Sequence, residues 1–246
     1  MGFLFHFGRY IVFLKRVFAR PEKIGIFLKQ TIKEAESLGV NSLGIVSIIS
    51  VFMGAVITLQ TAYNLDSAFI PKYTIGYAAR QSVVLEFSST IVGLILAGKV
   101  GSNIASEIGS MRVTEQIDAI EIMGINSSCH LVLPKIIGMV IMIPFITIIS
   151  MGVGIIGGWL SGVLSGEIIS ADFIYGARLD FVPFHVVYAM IKSVVFAFLI
   201  SSISAYQGYH VEGGSLEVGV ASTRAVVVSS IQILLFNLLL TQLLLA

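Results

Sequence analysis

Charge is scarce in this chain. Of its 246 residues only 12% are charged while 56% are hydrophobic, and the mean hydropathy is +0.95. A soluble globular domain carries roughly 25% charged residues, so lipid is the expected solvent. The formal net charge is +1, too little to assemble a basic face, which excludes nucleic acid as a partner. Cysteine is nearly absent. Cys129 stands alone with His130 beside it, so no internal disulfide forms and no metal site is expected. Catalytic motifs are missing as well: no HExxH, no Ser/His/Asp set and no paired carboxylates stand out. Gly93 to Lys99 (GLILAGK) fits the first seven positions of a phosphate-binding loop. Val100 then replaces the Ser or Thr that would hold Mg²⁺, and the glycines fall in an apolar run instead of a loop after a strand. The chain is read as a non-enzyme without a cofactor of its own. Any ATP and Mg²⁺ used would be bound by a partner.

Long apolar runs are what the chain does have. Five segments, near 40–62, 81–100, 131–163, 186–206 and 224–245, meet the requirement of about 20 apolar residues per membrane crossing. The fold class expected is an all-α integral membrane protein. The third run is longer than a straight crossing needs, and Pro144 with Gly152, Gly154, Gly157 and Gly158 predicts a kink, a tilt or a part outside the membrane.

Ahead of these runs, Phe3 to Phe18 mixes Phe5, Phe7, Tyr10, Phe13 and Phe18 with Arg9, Lys15 and Arg16. Those cations interrupt any signal-peptide core, and Ala19-Arg20-Pro21 is a poor cleavage site. An interfacial helix is expected instead, its aromatics in acyl chains and its cations among headgroups. Pro21 should break it. A second amphipathic stretch, Glu22 to Leu38, repeats Ile24, Phe27, Leu28, Ile32 and Ala35 at helical spacing. The organisation read is residues 1–38 as interfacial helices and 39–246 as a five-span domain, with a polar segment at about 101–130.

Seven basic residues (Arg9, Lys15, Arg16, Arg20, Lys23, Lys29 and Lys33) precede the first span, while the first and third loops together hold only Lys72, Arg80 and Arg178. The positive-inside rule places the N-terminus in the cytoplasm, and five spans send the C-terminus to the other side. Small residues recur at four-residue spacing, as Gly93, Ala97 and Gly101 and again as Gly154, Gly158 and Gly162. Such faces let helix backbones approach closely, within one subunit or between two.

The most distinctive stretch is polar. Ala97 to Pro134 (AGKVGSNIASEIGSMRVTEQIDAIEIMGINSSCHLVLP) interrupts the apolar chain on the cytoplasmic side. Ile104, Ile108, Met111, Ile117, Ile120 and Met123 make an apolar stripe beside Glu107, Arg112, Glu115, Asp118 and Glu121, with Gly109 and Gly124 as breaks. Two readings stay open: a helical hairpin folded on its own bundle with solvated charges, or a docking element for a soluble partner. A short acidic and apolar helix followed by Gly, then LVLPK entering a span, resembles the coupling loop of ABC importer permeases, although the distance from Gly124 to Pro134 is shorter.

AGKVGSNIASEIGSMRVTEQIDAIEIMGIN is similar to the central signature of the MlaE (YrbE) permease family, AGRxGSxxAxExGxMxxTEQxDAxxxMG. Tyr206-Gln207-Gly208-Tyr209 and GVASTRAVVVSS, Gly219 to Ser230, resemble its second block. The resemblance covers most of the chain from about residue 40. It implies a membrane subunit of an ABC transporter that moves phospholipids between the inner and outer membranes of diderm bacteria, a role in outer-membrane asymmetry. The implied partners are a second copy of the chain, a cytoplasmic ATPase, a periplasmic MCE-domain protein and, in some systems, a STAS-domain protein. The implied location is the bacterial inner membrane. Carried over residue by residue, Glu107, Met111, Thr114, Glu115, Gln116, Asp118 and Gly124 are candidates for the ATPase contact; Arg112 and Glu121 join them as charges of the same segment, and Gly98, Gly101 and Arg224 are candidates for structural roles. Lys192 matches a family lysine. Glu86 matches the glutamate of Arg-Glu-Leu-Gly-Pro, but Leu85 stands in place of the arginine, and Asn237 stands where the best-known members carry aspartate.

Residue depth supports the same polar groups. At 1.5 Å per residue, Glu86 lies roughly 8 Å, Lys192 roughly 10 Å and Asn237 roughly 12 Å inside the outer ends of their spans. Groups this deep are too costly to face lipid. They line a lipid-accepting cavity, with Lys192 drawn to phosphate, or Lys192 and Glu86 form a structural bridge in one subunit. Two other functions remain open: an ion-coupled secondary transporter, which needs a titratable relay, and a membrane scaffold for an MCE protein.

Overall fold

The computed structural model describes residues 3–19, 24–65 and 70–245. Pro21, the expected break, Glu22 and the side chain of Phe7 lie outside the described residues. Eight helices occur among the described residues: α1 (Phe3–Val17), α2 (Ile24–Asn64), α3 (Tyr73–Val113), α4 (Gln116–Ile122), α5 (Ser127–Leu164), α6 (Ser170–Arg178), α7 (Pro183–Tyr209) and α8 (Ser215–Leu245). Among the described residues there is no strand.

Five helices (α2, α3, α5, α7 and α8) are long and apolar enough to cross a membrane. Each brackets one of the apolar runs read from the sequence. In lipid a helix satisfies its own backbone hydrogen bonds, which an open strand cannot do. The helices exceed the runs because polar sequence continues them at the ends: α2 extends back to Ile24 and α3 forward to Val113. Helix α5 is unbroken for 38 residues and passes through both Pro134 and Pro144. Three π-helical turns interrupt the long helices, Ala35–Val40 in α2 and Val83–Ile91 and Ala97–Gly101 in α3. Such turns concentrate at functional sites.

The chain divides into two compact units. The first comprises Met1–Ser42, Leu94–Ile143 and Val194–Leu239, and the second Leu43–Gly93, Pro144–Ser193 and Leu240–Ala246.

In the first unit, α1 packs on α7. Phe13 is buried and its ring lies 5.2 Å from Tyr209 and 5.7 Å from Tyr206, while the Tyr10 hydroxyl is 2.7 Å from Ser202 Oγ. This corrects the expectation that the whole aromatic face of α1 enters acyl chains: Phe5 and Phe18 are exposed, but Tyr10 and Phe13 serve the protein core. Gly138 of α5 meets the start of the π turn of α2, where an added Cβ would come within 3.0 Å of Ala35 N.

In the second unit, glycines set the crossing of α2 and α5. A Cβ on Gly54 would overlap the Gly154 carbonyl, and one on Gly157 would overlap the Val51 backbone. Gly158 sits against Thr58, and Gly162 against Ile168 and Thr58. The stripe Gly154, Gly158, Gly162 therefore packs inside one chain. Helix α6 lies as closely on the start of α3, with Gly76 against the Phe173 backbone and Gly176 against the Tyr73 carbonyl. Around that contact Ala62, Ile75, Ala79, Ile168 and Phe173 form a buried cluster.

Candidate functional site

Two groups of polar residues stand out, one in each unit. The first is the polar segment. Its sequence predicts a break at Gly109, yet α3 runs through Gly109, whose hydrogen side faces Val218 and Val211. The glycine provides a close approach instead of a turn. The break comes at Thr114 and Glu115. Thr114 Oγ1 donates back to the Ser110 carbonyl at 2.8 Å, and Glu115 takes the left-handed conformation at φ 60°, which is costly for a residue with a Cβ. Helix α4 follows and ends at Gly124, φ 79°.

The apolar stripe divides. Ile104, Ile108 and Ile117 are fully buried, Met111 and Ile120 are partly buried, and Met123 is exposed. Beside Met123, Ile122 is 87% exposed, although it lies off the stripe read from the sequence. The acids also divide. Asp118 accepts a hydrogen bond from Arg112. Glu121 accepts from Ser127 Oγ at 2.7 Å and Tyr209 OH at 2.8 Å, and these two hydroxyls hold its carboxyl below the usual carboxylate range. Glu107 lies 2.8 Å from Lys135 Nζ, which lies 2.8 Å from Glu34 as well. Lys135 is buried, so the two carboxylates flank an ammonium that water barely reaches. Gln116 bonds Thr114 and is exposed. Of the candidate acids, Glu115 and Glu121 are exposed and outside the ion pairs found among the described residues, and of these two Glu121 has the two hydroxyl donors.

Lys135, Glu34, Ser127 and Ile122 were not singled out by sequence reasoning. A lone lysine following Pro134 in an apolar run was the available signal, because an ionisable residue there needs a partner. Lys99, the lysine of the rejected phosphate-loop pattern, donates to the Asn41 carbonyl. Gly101 is buried, with a Cβ position 2.9 Å from Ser204 Oγ, while Gly98 has open space around it. Arg224 is exposed on α8.

The second group lies in the other unit. Lys192 Nζ is 3.0 Å from Glu86 Oε1, 2.9 Å from Tyr188 OH and 3.4 Å from the Leu85 carbonyl. Glu86 sits in the π turn Val83–Ile91, and Thr90 Oγ1 donates to its other oxygen at 3.0 Å. Tyr188 OH continues the chain to Thr241 Oγ1 at 2.7 Å. Lys192 has no exposed surface, whereas the Glu86 side chain is 48% exposed. Lys192 and Glu86 thus form one pair within the chain, the bridge that the sequence reading set beside a lipid cavity. Asn237 belongs to the first unit and is partly buried. Among the described residues no cluster of three His, Cys, Asp or Glu could hold a metal ion.

A family model describing the permease MlaE matches residues 31–243. The chain belongs to the MlaE permease family. A probable ABC transporter permease protein of Rickettsia bellii is 36% identical over 236 residues, covering 96% of this chain and 91% of the relative. The intermembrane phospholipid transport system permease protein MlaE of Haemophilus influenzae is 30% identical over 212 residues, covering 85% and 80%. The chloroplastic protein TRIGALACTOSYLDIACYLGLYCEROL 1 of Arabidopsis thaliana is 29% identical over 235 residues, covering 92% of this chain and 64% of the relative. Five apolar helices within this family make the chain a multi-pass membrane permease. All of the polar segment, and both members of the Lys192–Glu86 pair, fall inside the matched region.

Proposed function

We propose that the chain is the non-catalytic membrane subunit of an ABC transporter that moves phospholipid between the inner and outer membranes. The observation that carries this reading is the similarity to the Haemophilus phospholipid permease across 85% of the chain, which includes both polar sites. The chain acts as a homodimer in the inner membrane, with its N-terminus in the cytoplasm and its C-terminus in the periplasm. A separate ATPase binds ATP and Mg²⁺ and docks on the polar segment, an MCE-domain protein caps the periplasmic side, and a STAS-domain protein joins the ATPase in some systems.

The internal pairings of the segment support a coupling role. Glu107, Asp118 and Glu121 each spend their charge inside the chain, which keeps α4 at a fixed attitude. The exposed Ile122, Met123 and Glu115 remain for the ATPase. Motion received at α4 passes through Tyr209 to α7 and through Lys135 to α5 and α2. Glu86, half exposed beside a buried cation, offers a polar surface to a headgroup.

The test is reconstitution of the full chain with its ATPase and MCE protein in vesicles holding a fluorescent phospholipid. ATP-dependent transfer of the lipid is expected. Absence of transfer in an assembled, ATP-hydrolysing complex would overturn the reading, and transfer driven by an ion gradient without ATP would favour the secondary-transporter alternative.

A further inference from the structure

Three cations are buried among the described residues: Lys192, Lys135 and Arg80. The first two each have a carboxylate at 3.0 Å or closer. Arg80 has none among the described residues. The sequence placed it with the first loop, but it lies in α3, seven residues beyond Tyr73, and only 4% of its surface is exposed. Among the described residues its Nη2 donates to Oε1 of its neighbour Gln81 at 3.2 Å. Nη1 is buried and has no hydrogen-bond partner among the described residues.

What surrounds the guanidinium is aromatic. Its carbon lies 5.1 Å from the Tyr77 ring centroid and 5.8 Å from that of Phe181. Ring faces attract a cation but do not neutralise it, and a guanidinium keeps its charge at physiological pH. Asp180, next to Phe181, forms no ion pair among the described residues and takes φ 47°. A buried charge without a counter-ion is costly, and no described residue supplies one.

We propose that Arg80 takes a phosphate group as its counter-ion, supplied by the phosphodiester of a phospholipid headgroup. A guanidinium fork matches two phosphate oxygens, and Nη1 is the donor left over for one of them. Arg80 stands about 10 Å from the start of α3 at 1.5 Å per residue, the depth at which headgroups meet a helix end. Tyr73, Tyr77, Tyr175 and Phe181 around that end have the character of an interfacial aromatic belt. Phe181, 52% exposed in the short link between α6 and α7, is the ring a headgroup displaces to reach Nη1. The site is distinct from the Lys192–Glu86 pair, whose cation is already matched.

This inference rests on the phospholipid reading above, and its test separates the two. The full chain in detergent is titrated with acyl-labelled phosphatidylglycerol and with a diacylglycerol bearing the same chains but no phosphate. Wild type is expected to prefer the phospholipid. Arg80→Met is expected to weaken phospholipid binding by about 10- to 100-fold and leave diacylglycerol binding unchanged, and Arg80→Lys, which keeps the charge without the fork, should fall between. The same loss is expected when Lys192→Met is present in both proteins, which keeps the two cations apart. Equal binding by wild type and both Arg80 variants overturns the site while leaving the permease reading intact. No preference for phospholipid in wild type counts against both. Displacement of the lipid by millimolar inorganic phosphate would assign the same guanidinium to free phosphate and overturn the lipid as its source. Should Arg80→Met fail to fold, the wild-type preference and Arg80→Lys still decide.

Discussion

The ammonium of Lys192 lies 3.0 Å from the carboxylate of Glu86, and the two partners occupy opposite surroundings, the lysine fully buried and the glutamate side chain 48% exposed. Losing the exposed partner strands a buried charge, whereas losing the buried partner leaves a carboxylate that water can reach. Glu86→Gln should therefore lower thermal stability more than Lys192→Met. For a fully buried pair the loss is about 3–5 kcal/mol; exposure of Glu86 reduces it to about 1–2 kcal/mol. Both variants should impair phospholipid transfer in the assembled complex. Transfer at the wild-type rate by both would reduce the pair to a structural bridge.

Lys135 has two counter-ions where Lys192 has one. Glu34→Gln or Glu107→Gln alone should be mild, within about 1 kcal/mol, since the remaining carboxylate still faces the ammonium. The double variant should lose more than the sum of the two, by roughly 1–3 kcal/mol. A double-mutant cycle of thermal melts measures this, and simple additivity would show that the carboxylates do not share the lysine.

Ile122 and Met123 project from α4 at 87% and 67% exposure. Changing both to Ser removes little packing inside the chain, so melting should shift by no more than about 0.5 kcal/mol. Co-purification with the ATPase should fall by about tenfold or more, as expected for apolar anchors at the centre of an interface. Charge reversal at Glu115 tests the acidic part of the same contact, reversal at Asp118 tests the Arg112 pair that holds α4 behind it, and retained binding in all these variants would place the interface elsewhere.

Two groups of the first unit should make the fold acid-sensitive. Burial pushes His210 below its ordinary value of 6.5, and the Ser127 and Tyr209 hydroxyls hold Glu121 below its ordinary 4.5. A group whose pKa is lower in the folded state contributes stability above its unfolded value and loses it as pH falls through the folded one. Melting temperature in detergent should be flat near neutral pH, begin to fall below 6.5 and fall again below 4.5. His210→Phe should flatten the first step and Glu121→Gln the second. An unchanged profile in both would argue against either group as its source.

Glycines with different neighbours should respond differently to the same methyl. Gly54→Ala drives a Cβ into the Gly154 carbonyl and should cost about 1–3 kcal/mol through overpacking. Gly98→Ala meets nothing within 4 Å and should be neutral or stabilising by up to about 1 kcal/mol. Melting of the two variants side by side checks the contrast.

The spans were legible because lipid leaves the backbone few choices: each apolar run long enough to cross became a helix. The polar segment was legible as helical from its isoleucine spacing, but Gly109 misled, since a glycine can serve a close approach to Val218 as well as a break. The true break at Glu115 has no sequence sign, because a glutamate at positive φ is held by its surroundings. Lys135 and Glu34 are 101 residues apart, and nothing local announces their pairing. Tyr10 and Phe13 looked like membrane-facing aromatics because a pattern of rings records one face of a helix and not what covers it.

The turn Ala97–Gly101 has a further meaning for the signature it opens. A π-helical turn accommodates one residue more than an α-helical one, so it sets the phase of every side chain after it. Closing that turn into an ordinary α-helix with all its residues kept would swing residues 102–113 through roughly 100°. Glu107 would leave Lys135, and Gly109 would leave the valines of the first unit. The small residues at the head of the segment thus work as an angular setting, and the charges downstream have their partners only at that setting.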